Sequence, residues 1–197
     1  MVVGPDAVWQ GEVPMTVDER RAPSNGSDPD PVAATGPAAR DAALAVVRQT
    51  LETLGLEVTE VDEYRLMTML SGEWKRTIPL LLEIDERTLR LNSLFSGVPD
   101  EGHTEVYRLL LHRNQRSGPV HFALDDEGDL ILVGSMPLVA VDAERLDELL
   151  GTVLELADRT FNQVLRTGFA GYLAHEQRWR QKTGQAPNPV GEPNPTS

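Results

Sequence analysis

The sequence predicts an α+β protein in which one largely antiparallel sheet is backed by helices, with the element order α-β-β-β-α-β-β-α. Three observations predict this class. Apolar residues recur at helical spacing in some segments, they alternate with a period of two in five others, and turn-forming residues separate the alternating segments. Layering the helices against the sheet gives both a common apolar core, which makes the predicted architecture a sandwich.

The first predicted helix covers 37–54. Pro37 suits the first position of a helix, and Asp41 suits the positive end of the helix dipole. Apolar residues then recur at helical spacing, and Gly55 can adopt the left-handed conformation that ends a helix.

Three strands follow this helix. The alternating segments are 66–70, 78–84 and 89–94. Pro79 cannot donate a hydrogen bond to a neighbouring strand, so we expect its strand to lie near a sheet edge or to contain a bulge. Met67 and Met69 share one face of the first strand. We expect them to pack in the core, with an adaptable contact surface as the alternative.

The next segments predict a helix and a hairpin. Helical spacing predicts the helix over 100–113, and alternation predicts strands over 120–124 and 130–133, the second reaching Pro137 at most. The acidic residues between the two strands form a turn in which Gly128 can supply a positive φ.

A long helix over 142–167 completes the pattern. Asp142 precedes its apolar stripe and is a favoured N-cap residue. Gly168 and Gly171 are expected to break or bend the helix before a second helical stretch over 172–182.

The ends of the chain are rich in proline. Residues 1–36 hold five of the 14 prolines, and residues 183–197 hold four more. Segments without apolar periodicity cannot offset their own ordering entropy. We therefore expect disordered tails at 1–36 and 183–197 around one folded α+β domain at 37–182.

Composition excludes several classes of function. The 197 residues include 18 basic and 31 acidic side chains, giving a formal net charge of −13, and no cysteine. An acidic surface repels phosphate backbones, so we expect no nucleic-acid partner. The apolar run at 79–82 is far shorter than the roughly 20 residues of a membrane helix, and the first residues lack a signal-peptide pattern. We expect a soluble, cytoplasmic protein with no membrane contact.

The second half of the pattern resembles the YbjN-domain family, whose members are described as bacterial regulators of sensory transduction. The resemblance covers roughly 40–166 and is most specific after residue 100. It is carried by Leu110-Leu-His-Arg-Asn114, by Val120-His-Phe-Ala-Leu-Asp125-Asp-Glu-Gly128-Asp-Leu130, by Pro137-Leu138 and by 142–146.

The resemblance implies a type III secretion chaperone-like fold, and such folds commonly form acidic homodimers that hold a protein partner. It brings no catalytic residues with it. The residues that recur in the family occupy fold-making positions here: Asn114, Phe122, Asp125, Gly128 and Pro137. By analogy with the chaperone-like fold, the candidate dimer interface consists of Val106, Leu109, Leu110, Val120 and Phe122.

Motifs for catalysis and metal binding are missing from the sequence. Lys75 and Lys182, the only lysines, are not preceded by glycine, so there is no phosphate-binding Walker loop, and no Gly-x-Ser-x-Gly elbow occurs. The four histidines lack metal-ligand spacing, and the acidic hairpin turn does not match a calcium loop. We expect no catalytic residue, no metal and no cofactor.

Three aromatic residues are candidates for a partner surface. Trp74 lies in a turn of charged residues, and Tyr172 and Trp179 recur at helical spacing beside basic residues. The alternatives are that Trp74 folds back over the sheet, and that the helix carrying Tyr172 packs on its own domain or on a dimer mate.

These observations favour a non-enzymatic adaptor or regulator that binds a protein partner and forms a homodimer. The alternative is a regulatory domain that senses a small molecule in a pocket between the sheet and the helix over 142–167.

Overall fold

The computed structural model describes residues 36–187. The α-helices of this part of the chain are α1 (Pro37–Thr53), α2 (His103–Asn114), α3 (Ala143–Gly168) and α4 (Ala170–Thr183), and a short 3₁₀ helix covers Leu138–Ala140. The strands are β1 (Thr59–Asp62), β2 (Arg65–Leu70), β3 (Ile78–Ile84), β4 (Thr88–Ser96), β5 (Val120–Leu124) and β6 (Leu130–Pro137). Residues 1–35 and 188–197 lie outside the described part, so the two predicted tails and the limits of the domain stay predictions.

The six strands form one antiparallel sheet in the order β1-β2-β3-β4-β6-β5. The predicted fold class is confirmed, but the prediction of five strands was wrong, because β1 was missed. All four residues of β1 are exposed. A strand without a buried face has no period-two alternation, so the sequence pattern did not predict it.

The core lies on one face of the sheet, beneath the helices. In β2, β3 and β4 every second residue is buried and faces inward. The buried side chains of α1 and α3 join this same apolar cluster. The opposite face of the sheet carries the outward residues of the strands, and it is not covered by any described helix. Most of these residues are exposed or half-buried, while Ile131 of β6 is buried beside its partner Leu94.

The predicted edge position of Pro79 was wrong. Strand β3 lies between β2 and β4, and Pro79 pairs with Met69 without a bulge. The register between β3 and β4 begins only at Leu81. Pro79 therefore has a paired strand on one side alone, and this local gap accommodates its missing N–H.

The predicted N-cap of α3 is confirmed, since the Asp142 carboxylate accepts a hydrogen bond from the Arg145 N–H at 2.8 Å. The helix ends at Gly168, where an added Cβ would lie 3.0 Å from Pro99. The chain turns at Phe169 and continues as α4, none of whose residues is buried. None of the helices within residues 36–187 combines the length and the hydropathy that a membrane span requires.

Candidate functional site

An apolar groove runs between α2 and the edge strand β5, with a volume of about 350 Å³. We call it the edge groove. Its lining is Tyr107, Leu110, Leu111, Asn114, Phe122, Ala123 and Leu124. Leu110 and Phe122 are buried in its floor, whereas Leu111 and Leu124 are 66% and 49% exposed. Two large leucines held open to solvent beside an edge strand are typical of a contact surface.

Asn114, the last residue of α2, fixes the floor of the edge groove. Its side-chain oxygen accepts a hydrogen bond from the Phe122 N–H at 2.8 Å, and its amide nitrogen donates to the Phe122 carbonyl at 3.0 Å. These backbone groups point away from β6 and would otherwise be free to pair with another strand. The sheet edge is therefore closed at Phe122, and contact there must use side chains.

The five residues predicted for a dimer interface do not lie together. Leu110 and Phe122 line the edge groove, while Val106 and Val120 are completely buried within the single chain. Leu109 faces a different concavity, between α2 and α3. The buried members have no surface to offer to a second copy, so any contact here would rest on the exposed Leu111 and Leu124.

The uncovered face of the sheet carries a second apolar surface, which we call the open face: Met67, Met69, Pro79, Leu81 and Leu94. Met67 pairs with Leu81, and Met69 pairs with Pro79, so the side chains lie in neighbouring rows. The prediction that Met67 and Met69 pack in the core was wrong. They lie opposite the buried Leu66, Thr68 and Leu70 in the pleat of β2 and are 42% and 47% exposed.

The β2–β3 loop is tied to α3 through Asp158. Its carboxylate accepts hydrogen bonds from the N–H groups of Trp74 and Lys75, at 2.7 and 2.8 Å. Trp74 itself is half-buried. The Lys75 ammonium lies 5.0 Å from the ring centre of Phe161 and 5.7 Å from that of Phe95. Burial lowers the pKa of Lys75 below its ordinary value of 10.5.

The other two predicted aromatic contacts lie on α4, where Tyr172 and Trp179 are both more than half exposed. Neither the helix nor these rings are buried against the described domain. Trp74 and the α4 aromatics are held by different parts of the fold, since the Trp74 loop is anchored at the middle of α3 and α4 follows its end.

Sequence reasoning missed the most exposed leucines of both surfaces. Leu111 lies next to the buried Leu110 on α2. Because it falls outside the predicted apolar stripe of that helix, the helical pattern gave it no function. Leu94 lies on the outward side of β4, whereas Leu124 shares the inward side of β5 with Val120 and Phe122 and is exposed at the end of the strand. For Leu94 the available signal was an apolar residue at an outward-facing strand position, which a half-buried sheet does not require.

The pocket expected between the sheet and the long helix was misplaced. The α3 residues that face the sheet are buried in the core, among them Leu146, Leu149 and Val153. Close packing leaves that space filled. The concavity that borders α3 lies instead between α3 and α2. Among the described residues, no group of three or more His, Asp or Glu side chains could hold a metal ion.

A six-stranded antiparallel sheet with helices packed on one face defines an α+β sandwich protein. The chain matches the family model for YbjN, described as "Putative bacterial sensory transduction regulator", over residues 43–166. This protein belongs to the YbjN family, as its second-half residues predicted.

One relative of this chain is the uncharacterized protein Rv0487 of Mycobacterium tuberculosis. It is 41% identical over 121 residues, which are 61% of this chain and 66% of that protein. The matched part thus spans just under two thirds of the relative's length.

Two solved structures are similar to this chain. A chain of the HopA1-SchA chaperone-effector complex superposes with a TM-score of 0.50 at 15% identity, over 62% of this chain and 94% of that one. A chain of the complex between the Yersinia pestis type III secretion chaperone SycH and a fragment of YscM2 gives a TM-score of 0.44 at 19% identity, over 58% of this chain and 96% of that one. At such low identity the likeness concerns the fold alone.

Proposed function

We propose that the protein is a non-enzymatic adaptor that binds an apolar segment of another protein on its open face. The observation that carries this proposal is the exposure of Met67, Met69 and Leu94 on a sheet face that no described helix covers. A cluster of large apolar side chains on the outer face of a sheet costs solubility, and it is typical of an interaction site.

The chemistry of the open face suits a partner segment of variable sequence. Methionine side chains are flexible and polarizable, so they adapt to different apolar shapes. Charged residues of the same strand face flank the apolar residues at one end, where Glu83 and Arg90 lie opposite each other in the sheet. An apolar centre with a polar rim is the usual anatomy of a protein interface.

The likeness to a chain of a chaperone-effector complex supports the same class of function, because that structure holds its chaperone with a protein partner. We also propose a cytoplasmic location, which the acidic, cysteine-free composition fits.

We further propose that the protein forms a homodimer through the edge groove. Leu111 and Leu124 of each copy would pack against the groove of the other, an arrangement that two-fold symmetry permits. The closure of the β5 edge by Asn114 argues for side-chain packing in place of a continuous intermolecular sheet.

Trp74, Tyr172 and Trp179 stay candidates for a second partner contact. Tyr172 and Trp179 present large aromatic surfaces beside the basic residues Arg178 and Lys182 of α4. Such a helix suits an acidic, partly apolar partner surface.

Affinity capture from the source organism tests the proposal with two matched double variants. We expect one stoichiometric partner to co-purify with the wild-type chain and to be lost from Met69→Ser/Leu94→Ser, whose changes lie on exposed positions and leave the core intact. If that variant retains the partner and Trp74→Ala/Trp179→Ala loses it, the partner binds on the aromatic residues and not on the open face. Capture that neither variant affects would contradict both surfaces.

A further inference from the structure

The concavity between α2 and α3 differs in chemistry from both apolar surfaces. It has a volume of about 540 Å³, within the range of small-molecule sites. Three arginines line it: Arg113 and Arg116 from the end of α2, and Arg159 from α3. Leu109 and Leu156 supply an apolar part of the wall. We call this concavity the arginine pocket.

Such a concentration of positive charge is unusual in a chain with a net charge of −13. The one acidic residue of the wall, Glu155, forms an ion pair with Arg159 at 2.6 Å on the exposed side of α3. Arg113 is held by a hydrogen bond from its guanidinium to the Gln163 side-chain oxygen at 2.8 Å, a neutral partner that leaves its charge uncompensated. The pocket therefore retains an excess of positive charge.

Two buried polar atoms of the pocket residues lack hydrogen-bond partners within residues 36–187. They are the Arg113 Nε and the Thr160 Oγ1. Thr160 is completely buried, and buried polar groups are nearly always paired. Other helical threonines, such as Thr50 and Thr152, donate to the carbonyl four residues earlier, whereas Thr160 does not. The Thr160 hydroxyl and the Arg113 Nε–H are therefore both available as hydrogen-bond donors.

We propose that the arginine pocket binds a small organic molecule through an oxyanion group, a phosphate or a carboxylate. The guanidinium groups of Arg113 and Arg116 and the Thr160 hydroxyl would donate to the oxyanion, since arginine matches the geometry of both groups. Leu109 and Leu156 would contact the apolar body of the ligand. This inference is independent of the proposed protein-binding function, because none of these residues belongs to the open face or the edge groove.

Three probes that share a phenyl ring test the inference: phenyl phosphate, benzoate and the neutral benzamide. They also distinguish a phosphate from a carboxylate as the bound group. We expect saturable shifts of the Leu109 and Leu156 amide signals in ¹H–¹⁵N spectra of the full chain. Binding of phenyl phosphate alone assigns the site to phosphate esters, and binding of benzoate alone assigns it to carboxylates. Equal binding of benzamide, or no saturable binding by any probe, would overturn the proposal.

Two variants locate the binding. We expect Arg116→Gln and Thr160→Val each to weaken the affinity for the bound anion by about tenfold, the loss of one charge-assisted hydrogen bond. Arg108→Gln, on an exposed position of the same helix outside the pocket, should leave the affinity unchanged. Thr160→Val removes an unpartnered buried hydroxyl, so the melting temperature should hold or rise while binding falls. Unchanged affinity in both pocket variants would also overturn the proposal.

Discussion

The Asn114 side chain makes both hydrogen bonds that a neighbouring strand would otherwise make with Phe122, at 2.8 Å to its N–H and at 3.0 Å from its carbonyl. One residue thereby ends α2, positions the edge strand β5 and prevents pairing at that edge. The family resemblance identified both residues as fold-making, and this contact gives the physical reason.

Replacing Asn114 by Ala should lower the free energy of unfolding by about 2 kcal/mol, because two backbone groups of Phe122 lose their partner in a partly buried site. Urea unfolding followed by circular dichroism measures the change. The control is Asn92→Ala on the exposed side of β4, where we expect a change within about 0.5 kcal/mol. Equal effects of the two substitutions would show that the Asn114 contact has no special role.

Gly72 and Gly151 predict opposite effects of the same substitution. A Cβ on Gly72 would overlap the Asp158 carboxylate, which holds the backbone of Trp74 and Lys75. We expect Gly72→Ala to destabilise the fold by about 2 kcal/mol through loss of these bonds. Nothing lies near a Cβ on Gly151 in α3, so Gly151→Ala should stabilise by up to about 1 kcal/mol.

Thermal and urea unfolding of both variants checks this pair of predictions. A Gly72→Ala protein as stable as the wild type would mean that Asp158 can release the loop without loss of stability.

Lys75 gives a prediction for the pH dependence of stability. Its pKa is lowered in the folded chain, so between that lowered value and about 10.5 the unfolded chain binds more protons than the folded one. Within this window the contribution of Lys75 to stability rises with pH. Lys75→Met removes the titration and keeps most of the side-chain volume.

We therefore expect the stability difference between wild type and Lys75→Met to shift in favour of the wild type as the pH is raised toward 10.5. Unfolding curves of both proteins at matched pH values measure it, and the subtraction removes the other titrating groups. A constant difference across this range would contradict the burial of the ammonium group.

The proposed homodimer depends on exposed leucines. Leu111→Asp and Leu124→Asp should each convert it to a monomer at micromolar concentration, because each would place a charge in an apolar contact. Both positions are solvent-exposed in the single chain, so the fold should survive. Leu110→Asp is a poorer choice, since Leu110 is buried and its loss would unfold the monomer. Analytical ultracentrifugation decides the question, and a monomeric wild-type chain would contradict the dimer.

The sequence predicted the elements with strong apolar periodicity well. The helices beginning at Pro37 and Ala143 and the hairpin around Gly128 are present, because each combines a buried stripe with a recognisable cap or turn. Strand β1 was missed because none of its residues is buried. The edge position of Pro79 was mispredicted, since the register that leaves Pro79 unpaired on one side depends on where β4 lies.

The candidate surfaces were harder to predict than the fold. Alternation shows that Met67 and Leu66 face opposite sides of the sheet, but it does not tell which side the helices cover. The arginine pocket brings together residues some 40 positions apart in sequence, from α2 and α3, and its evidence is the missing hydrogen bonds of Thr160 and Arg113. The open face and the arginine pocket both depend on how distant elements pack together, which a local sequence pattern does not predict.

Site-specific photocrosslinking shows whether a protein partner binds on the open face. A photoreactive amino acid is placed at Met69 and, as a control, at Glu52 on the exposed side of α1. We expect one dominant adduct with a partner from the Met69 position, suppressed by excess wild-type chain and absent from the Glu52 position. No adduct at Met69, or the same adducts at both positions, would contradict it.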